Sequence, residues 1–305
     1  MLGSWMRRLT GAAALLVVVG LGTARAQNVS PYQGQAELLY DAMTSDSMDM
    51  TVVGVGGVYA FKSVDPGDGP LDESLFLARV PNAGAMLGFV TGEADMGGPV
   101  DLSGTEFGIT AGYADENVPV GVDLMYTIGA IEMDMGGGVG GTVDMSGLDV
   151  KAGYFVMPGL IVGLSYELET SKVKIDGMGT VSDSDTTGIG LVGKWVQKLS
   201  GGTAVNAEIS ITSATTEEVG SPDETDSIVL LSGDYYLNQL IGVGLGLTFT
   251  SGDDKSAEGT ALEIRARCNL NTKFGVGVSY ETFTAKSSNQ GEDSSTLTIS
   301  VVGRF

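Results

Sequence analysis

Side chains that could support catalysis are scarce in this chain of 305 residues. The sequence has no histidine, which rules out Ser-His and Cys-His nucleophile pairs as well as histidine metal ligands. Glu167 and Glu169 are close enough in sequence for acid–base work, but acidic faces that line water are far commoner. The sequence therefore predicts that the chain is not an enzyme and has no cofactor or metal site.

Methionines are the other residue type with a specific chemistry. Met48, Met50, Met133, Met135 and Met145 stand in or beside Gly-rich segments. Thioether sulfur suits Cu(I), but methionine in such segments usually reflects composition alone. The sequence indicates a thioether site only faintly.

Acidic residues outnumber basic ones 38 to 16, which gives a net charge of −22. Such a charge repels the phosphate backbone and predicts no nucleic-acid partner. The N-terminus has the pattern of a secretory signal, with Arg7 and Arg8, an apolar stretch over 11–21 and a small-x-small site at 24–26. We expect a signal peptide over 1–26 and a single domain over 27–305. The alternative for this segment is an N-terminal membrane anchor.

From residue 27 onward, apolar side chains alternate with small or polar ones. Over 296–305, for example, Leu297, Ile299, Val301 and Phe305 share one parity, whereas the other parity is mainly polar. Because successive side chains of a strand point to opposite faces, this pattern predicts two-faced strands. About 14 such strands fit between residue 34 and the end of the chain, with 12 or 16 as alternatives.

The connections between these strands alternate between two kinds. Tight turns, such as those at 117–119 and 157–159, alternate with longer acidic Gly/Ser-rich stretches at 133–141, 176–185, 217–226, 252–258 and 286–293. Short periplasmic turns and long outer loops are typical of outer-membrane barrels. The sequence therefore predicts a closed, antiparallel transmembrane β-barrel with both termini on the periplasmic side. Aromatic residues beside the short turns indicate an interfacial belt: Tyr113, Tyr154, Trp195, Tyr235 and Phe274.

Charged side chains keep to the parity opposite the large apolar residues. An Arg or Lys that faces lipid near mid-membrane costs roughly 2–4 kcal/mol, so we assign these charges to the barrel interior. The predicted pore-lining residues are Asp123, Asp149, Lys151, Glu167, Lys194, Glu208, Asp234, Glu263, Arg265, Arg267 and Glu281. They either set up a transverse field across the pore or pair and brace the wall, and we favour pairing.

The same parity places glycines 242, 244, 246, 275 and 277 inside the barrel. They either widen the lumen or leave gaps that neighbouring side chains fill. Since the interior parity holds mostly glycine and charged residues, a continuous apolar lumen patch is not expected. The longest irregular stretch, 63–84, has three possible explanations: a simple connection, a short inward plug, or an error in the strand count.

The signal, the alternating strands and the terminal Phe305 together resemble the porin class of outer-membrane proteins. Residues 69–77, Gly-Pro-Leu-Asp-Glu-Ser-Leu-Phe-Leu, are similar to a short stretch found in a group of proteobacterial porin-like proteins. The resemblance implies passive diffusion of small hydrophilic solutes through the outer membrane. It also implies Phe305 as the signal read by the barrel-assembly machinery, contact with lipid and lipopolysaccharide, and a monomer or homotrimer.

Three functions stay open from the sequence. A water-filled pore with a weak preference for cations is the first, since acidic outer loops attract cations. A structural or adhesive barrel with a filled lumen, whose acidic loops bind partners, is the alternative. A channel for hydrophobic substrates with an N-terminal plug is the third, and the expected lack of a continuous apolar lumen patch disfavours it.

Overall fold

The computed structural model describes residues 31–65, 69–95, 98–253, 258–271, 273–286 and 293–305. The predicted signal peptide lies outside these residues. The strands are β1 (Tyr32–Ser45), β2 (Met48–Val64), β3 (Asn82–Asp95), β4 (Pro99–Asp115), β5 (Val118–Asp134), β6 (Gly140–Met157), β7 (Leu160–Ile175), β8 (Gly179–Lys198), β9 (Ala204–Glu218), β10 (Glu224–Tyr236), β11 (Ile241–Gly252), β12 (Gly259–Asn269), β13 (Phe274–Ala285) and β14 (Ser294–Arg304).

These 14 strands form one closed antiparallel barrel in which every strand pairs with its sequence neighbours. Strand β1 closes the barrel on β14, in register from Gln35 opposite Arg304 to Ser45 opposite Ser294. Backbone hydrogen bonds between Gly34 and Phe305 extend this seam to the last residue. Closure leaves no unpaired edge strand, which a lipid environment requires. The predicted fold and strand number are confirmed.

The outer surface of the barrel is apolar because most of the large aliphatic and aromatic residues of the strands lie on the outward parity. Leu164 is 59% exposed and Ile189 is 62% exposed, values that a water-soluble protein would rarely allow for neighbouring strands. The five aromatic residues of the predicted belt are also exposed on this surface. No helix in the described ranges is long and apolar enough to cross a membrane.

We call the end of the barrel that holds both chain termini the terminal end, and the opposite end the distal end. The predicted long loops at the distal end are wrong in part, because strands continue through much of their length. Strand β8 begins at Gly179, for example, inside the predicted loop 176–185. Alternating Thr, Ser and Asp residues allow strand pairing to continue where both faces are polar. The strands are therefore longer than the 9–11 residues or so that cross a bilayer.

The connection between β2 and β3 is the longest at the terminal end, and it folds inward. It contains a 3-10 turn over Leu71–Glu73 and a short helix α1 over Ser74–Ala78. Arg79 ends α1 in the left-handed conformation, with φ of 48°. Of the three explanations for this stretch, the inward plug is the one that the structure shows. We call residues 69–81 the plug segment.

Candidate functional site

The interior wall of the barrel is the candidate site. All eleven predicted pore-lining residues lie on the parity opposite the lipid-facing apolar residues, and thus face the interior. Lys151 and Lys194 keep 37% and 29% of their side-chain surface exposed there, so water reaches this part of the lumen. That the eleven residues line a conducting path stays a prediction.

Two neighbouring acids anchor the plug segment to the wall. A Glu73 carboxylate oxygen lies 2.9 Å from Lys194 Nζ, and its other oxygen accepts hydrogen bonds from the Asn206 amide and the Tyr236 hydroxyl. Asp72 is fully buried between Arg267 and Arg304, at 3.6 and 3.8 Å. Burial raises the pKa of the Asp72 carboxyl well above its usual range, and the two arginines oppose this shift.

Apolar contacts complete the attachment of the plug segment. Leu71 and Val80 are buried in a cluster with Tyr32, Ala60 and Val64 of the first two strands. On the other side of the barrel, the ring of Phe76 packs against Phe155 of β6 at a centroid distance of 5.6 Å. The plug segment thus contacts the wall on opposite sides and occupies the lumen at the terminal end.

A second charged network lies beside the plug segment on strands β10 to β12. Arg265 donates two hydrogen bonds to the Asp234 carboxylate, of 2.7 and 3.0 Å, and a third to Glu263. The pair spans β11 above Gly244, where a Cβ atom would lie 2.1 Å from the Asp234 carboxylate. Tyr236 similarly covers Gly242 and Glu263 covers Gly246. The inward glycines at 242, 244 and 246 therefore leave gaps that neighbours fill, rather than a wider pore.

Every inward-facing base discussed so far has a carboxylate partner. Lys151 pairs with Asp149 at 2.8 Å, and Lys194 pairs with Glu208 as well as with Glu73. These charges were expected either to set up a transverse field or to pair along the wall, and pairing is what the structure shows. Asp123 lies on the same wall, opposite Lys151 in the register of β5 and β6.

Seven inward-facing acids have no basic partner within ion-pair distance among the described residues: Glu37, Asp41, Glu106, Asp123, Glu167, Glu169 and Glu281. They lie on β1, β4, β5, β7 and β13, on different sides of the lumen. With the bases paired and these acids unpaired, the uncompensated charge of the wall is negative.

The expectation of a lumen without an apolar patch is wrong. Inward-facing apolar residues of strands β2 to β7 pack into one buried cluster near the distal end, which we call the apolar lumen cluster. Its members are Met48, Met50, Val52, Val90, Ala94, Val100, Leu102, Ile131, Met133, Val143 and Val173. The sequence pattern did not reveal this cluster, because glycine and charged residues dominate the inward parity over whole strands. The apolar residues are concentrated at one end of those strands.

Sequence reasoning also missed the residues that hold the plug segment: Asp72, Glu73, Asn206, Tyr236 and Arg304. The similar stretch at 69–77 was the available signal, since it includes both acids and most of α1. Its partners come from strands more than a hundred residues away in the sequence, so spacing could not identify them.

Comparison with known proteins shows the fold. No protein-family model matches the chain, and no curated protein matches its sequence. Among solved structures, the outer membrane protein Omp33 of Acinetobacter baumannii is similar, with 16% identity, a TM-score of 0.56, and coverage of 91% of this chain and 100% of that one. The toluene transporter TbuX of Ralstonia pickettii has 12% identity, a TM-score of 0.55 and 90% coverage of both chains. The toluene transporter TodX of P. putida has 10% identity and a TM-score of 0.55, with coverage of 94% of this chain and 96% of that one. This chain therefore has the fold of the outer-membrane β-barrels, a class that includes channels and transporters.

Proposed function

We propose that the chain is an outer-membrane channel for the passive diffusion of small hydrophilic solutes and ions, with a weak preference for cations. The closed barrel with a lipid-compatible outer face supports the location, and the charged, partly water-exposed interior supports the transport of polar solutes. The channel performs no catalysis in this proposal. Its Phe305 strand serves assembly, as the porin resemblance implies.

The uncompensated acids of the lumen carry the proposal. Glu106, Glu167, Glu169 and Glu281 add negative potential to the wall, whereas Lys151 and Lys194 are neutralised by carboxylates at 2.8–2.9 Å. A narrow lumen between low-dielectric walls focuses such a field and raises the local concentration of cations. If Lys151 and Lys194 had no carboxylate partners, the same wall would attract anions far more strongly.

Reversal potential in a salt gradient across a planar bilayer tests this proposal. We expect a cation-selective value at low salt, and a smaller one for the double variant Glu167→Gln/Glu169→Gln. Glu116→Gln is the matched control, because Glu116 is exposed in the turn between β4 and β5, outside the lumen. An anion-selective wild type would contradict the proposal and point to Arg265 and Arg267. A folded protein that never conducts, even with the plug segment weakened, would favour the structural or adhesive barrel instead.

The apolar lumen cluster favours a second candidate, the passage of small apolar solutes. Its residues face the interior of β2 to β7, where an apolar solute would exchange water for aliphatic and thioether groups. TbuX and TodX, which have a similar fold, are described as toluene transporters. Toluene is therefore the probe. We expect saturable toluene binding to the refolded barrel that Val173→Asn abolishes, and the lack of saturable binding would eliminate this candidate.

A further inference from the structure

Methionines are segregated to the inside of this barrel. Among the described strands, Met43, Met48, Met50, Met86, Met125, Met133 and Met145 all lie on the inward parity, whereas Met157, the last residue of β6, faces outward. The lipid face instead uses Leu, Val, Ile and aromatic residues. The segregation brings the thioethers together inside the lumen, where sulfur atoms can fill gaps in the packing and can also bind a soft ligand.

Five of these thioethers and that of Met135, which directly follows β5, come together at the distal end. Met48, Met50 and Met133 belong to the apolar lumen cluster, and Met43, Met135 and Met145 pack against it. We call these six residues the methionine cluster. The ε-methyl groups of Met133 and Met135 both lie over Gly141, 2.8 and 3.6 Å from the position that a Cβ atom would take there. A Cβ atom there would also lie 2.7 Å from the Lys174 backbone oxygen, so glycine keeps this position clear of the backbone as well as of the two methionine side chains.

Met43 and Met50 form the most direct pair within the cluster. They are opposite each other in the register of β1 and β2, and both face inward. Directly opposed residues of antiparallel strands have Cβ atoms roughly 4.5–5.5 Å apart, within reach of a shared ion for two flexible side chains. Met48 precedes Met50 by one inward position on β2 and is also buried.

An unpartnered carboxylate lies beside this pair. Asp41 precedes Met43 by one inward position on β1 and is opposite Val52 of the apolar lumen cluster. It is only 2% exposed, and no basic residue of the described chain pairs with it. Thr298 donates a hydrogen bond to Asp41 Oδ1, but the buried Oδ2 has no hydrogen-bond partner. A buried anion without a counter-charge is costly, and a bound cation would supply that charge.

We propose that the methionine cluster binds a soft monovalent metal ion, Cu(I) or its analogue Ag(I), with Met43 and Met50 as ligands and Asp41 offsetting the charge. Neutral thioethers select soft ions over Na⁺, K⁺ and Mg²⁺, which prefer oxygen ligands. Binding releases no proton from the sulfur atoms. The acidic lumen concentrates cations near the site, and the surrounding apolar residues keep water from the ligands.

Silver binding to the refolded, detergent-solubilised barrel tests the proposal. The background for every variant is Cys268→Ser, because the exposed thiol of Cys268 would itself bind silver. Silver nitrate in chloride-free buffer is the probe, and bound metal is quantified by mass spectrometry after gel filtration and by titration calorimetry. We expect stoichiometric silver in this background, with a first coordination shell that contains sulfur in X-ray absorption.

Matched variants separate ligation from packing. Met43→Leu/Met50→Leu keeps volume and apolarity but removes both sulfur atoms. Since the loss of an outer-shell partner alone costs about 10-fold to 100-fold in metal affinity, we expect a loss of more than about 100-fold here, and a smaller loss for Asp41→Asn. The control Met86→Leu/Met125→Leu removes two inward thioethers outside the cluster and should bind silver normally.

Two results would overturn the proposal. One is that the Cys268→Ser barrel retains no silver after gel filtration. This result would be decisive without any further variant. The other is that Met43→Leu/Met50→Leu, shown to be folded by heat-modifiable migration, retains as much silver as the control. In that case the methionines only pack the lumen. If the double variant does not fold, Asp41→Asn and the absorption spectrum of the background protein decide the matter.

Discussion

Weakening the attachment of the plug segment should raise the conductance of the barrel. Glu73 is the residue to change, because its carboxylate is nearly buried and contacts three wall residues. Glu73→Gln keeps the shape and an oxygen acceptor for Asn206, but it turns the ion pair with Lys194 into a contact between two donors. A hydrogen bond to a charged group contributes about 1.5–3 kcal/mol. Lys194 retains Glu208, so no charge is left unpaired, and we take about 2 kcal/mol.

That free energy sets the expected size of the effect. At 1.4 kcal/mol for each tenfold change, about 2 kcal/mol increases the ratio of undocked to docked plug by about 30-fold. Single-channel recording in planar bilayers measures it as more frequent or longer visits to a high-conductance level. Glu116→Gln, an exposed turn residue, is the control and should behave like the wild type. If Glu73→Gln shows the same event frequency as this control, the reasoning that this carboxylate holds the plug in place is refuted.

Three further predictions concern the barrel wall. Leu164→Arg puts a charge on the lipid face and should cost roughly 2–4 kcal/mol in the free energy of unfolding from lipid vesicles, measured by urea titration; an unchanged midpoint would mean that this surface does not face lipid. Gly163→Ala should lower the refolding yield on cold-detergent gels, since a Cβ atom would lie 2.2 Å from the Ala152 carbonyl oxygen; a normal yield would show that β6 and β7 separate easily. Asp234→Asn breaks the buried pair with Arg265 and should destabilise the barrel by up to about 3–5 kcal/mol. The loss should be smaller in a background where Arg265 is already replaced by Met, and equal losses would show that the pair is not coupled.

The number and order of the strands could be predicted from the sequence, and the reason is physical. Lipid on one side and water on the other impose a strict period of two, so the alternation of apolar and polar residues is visible even within a single strand such as β7. Where this contrast ends, prediction fails. Beyond the membrane both faces are polar, and the sequence of 179–185 has the composition of a loop although it continues β8.

The plug segment and the apolar lumen cluster could not be predicted because they depend on which inward residues meet. Parity assigns Lys194 and Glu208 to the lumen, but it says nothing of Glu73, which reaches them from a connection. Similarly, the inward methionines of β2 and β5 are about eighty residues apart in sequence, and barrel curvature is what places them in one cluster. Contacts between residues on different sides of a lumen produce no periodic pattern in the sequence.

The charge of the lumen illustrates why such contacts decide function. From composition, acids outnumber bases throughout the chain, and any pore would be expected to prefer cations. We expect the proposed preference to depend instead on the acids that lack partners, because Lys194, Arg265 and their carboxylates cancel locally. Releasing the plug segment would remove Asp72 from Arg267 and Arg304 and so expose positive charge at the terminal end, whereas Lys194 would keep its contact with Glu208. Opening should therefore weaken the cation preference as it raises the conductance. Reversal potentials of Glu73→Gln should thus lie closer to zero than those of Glu116→Gln, and an unchanged value would mean that the selectivity is set elsewhere in the lumen.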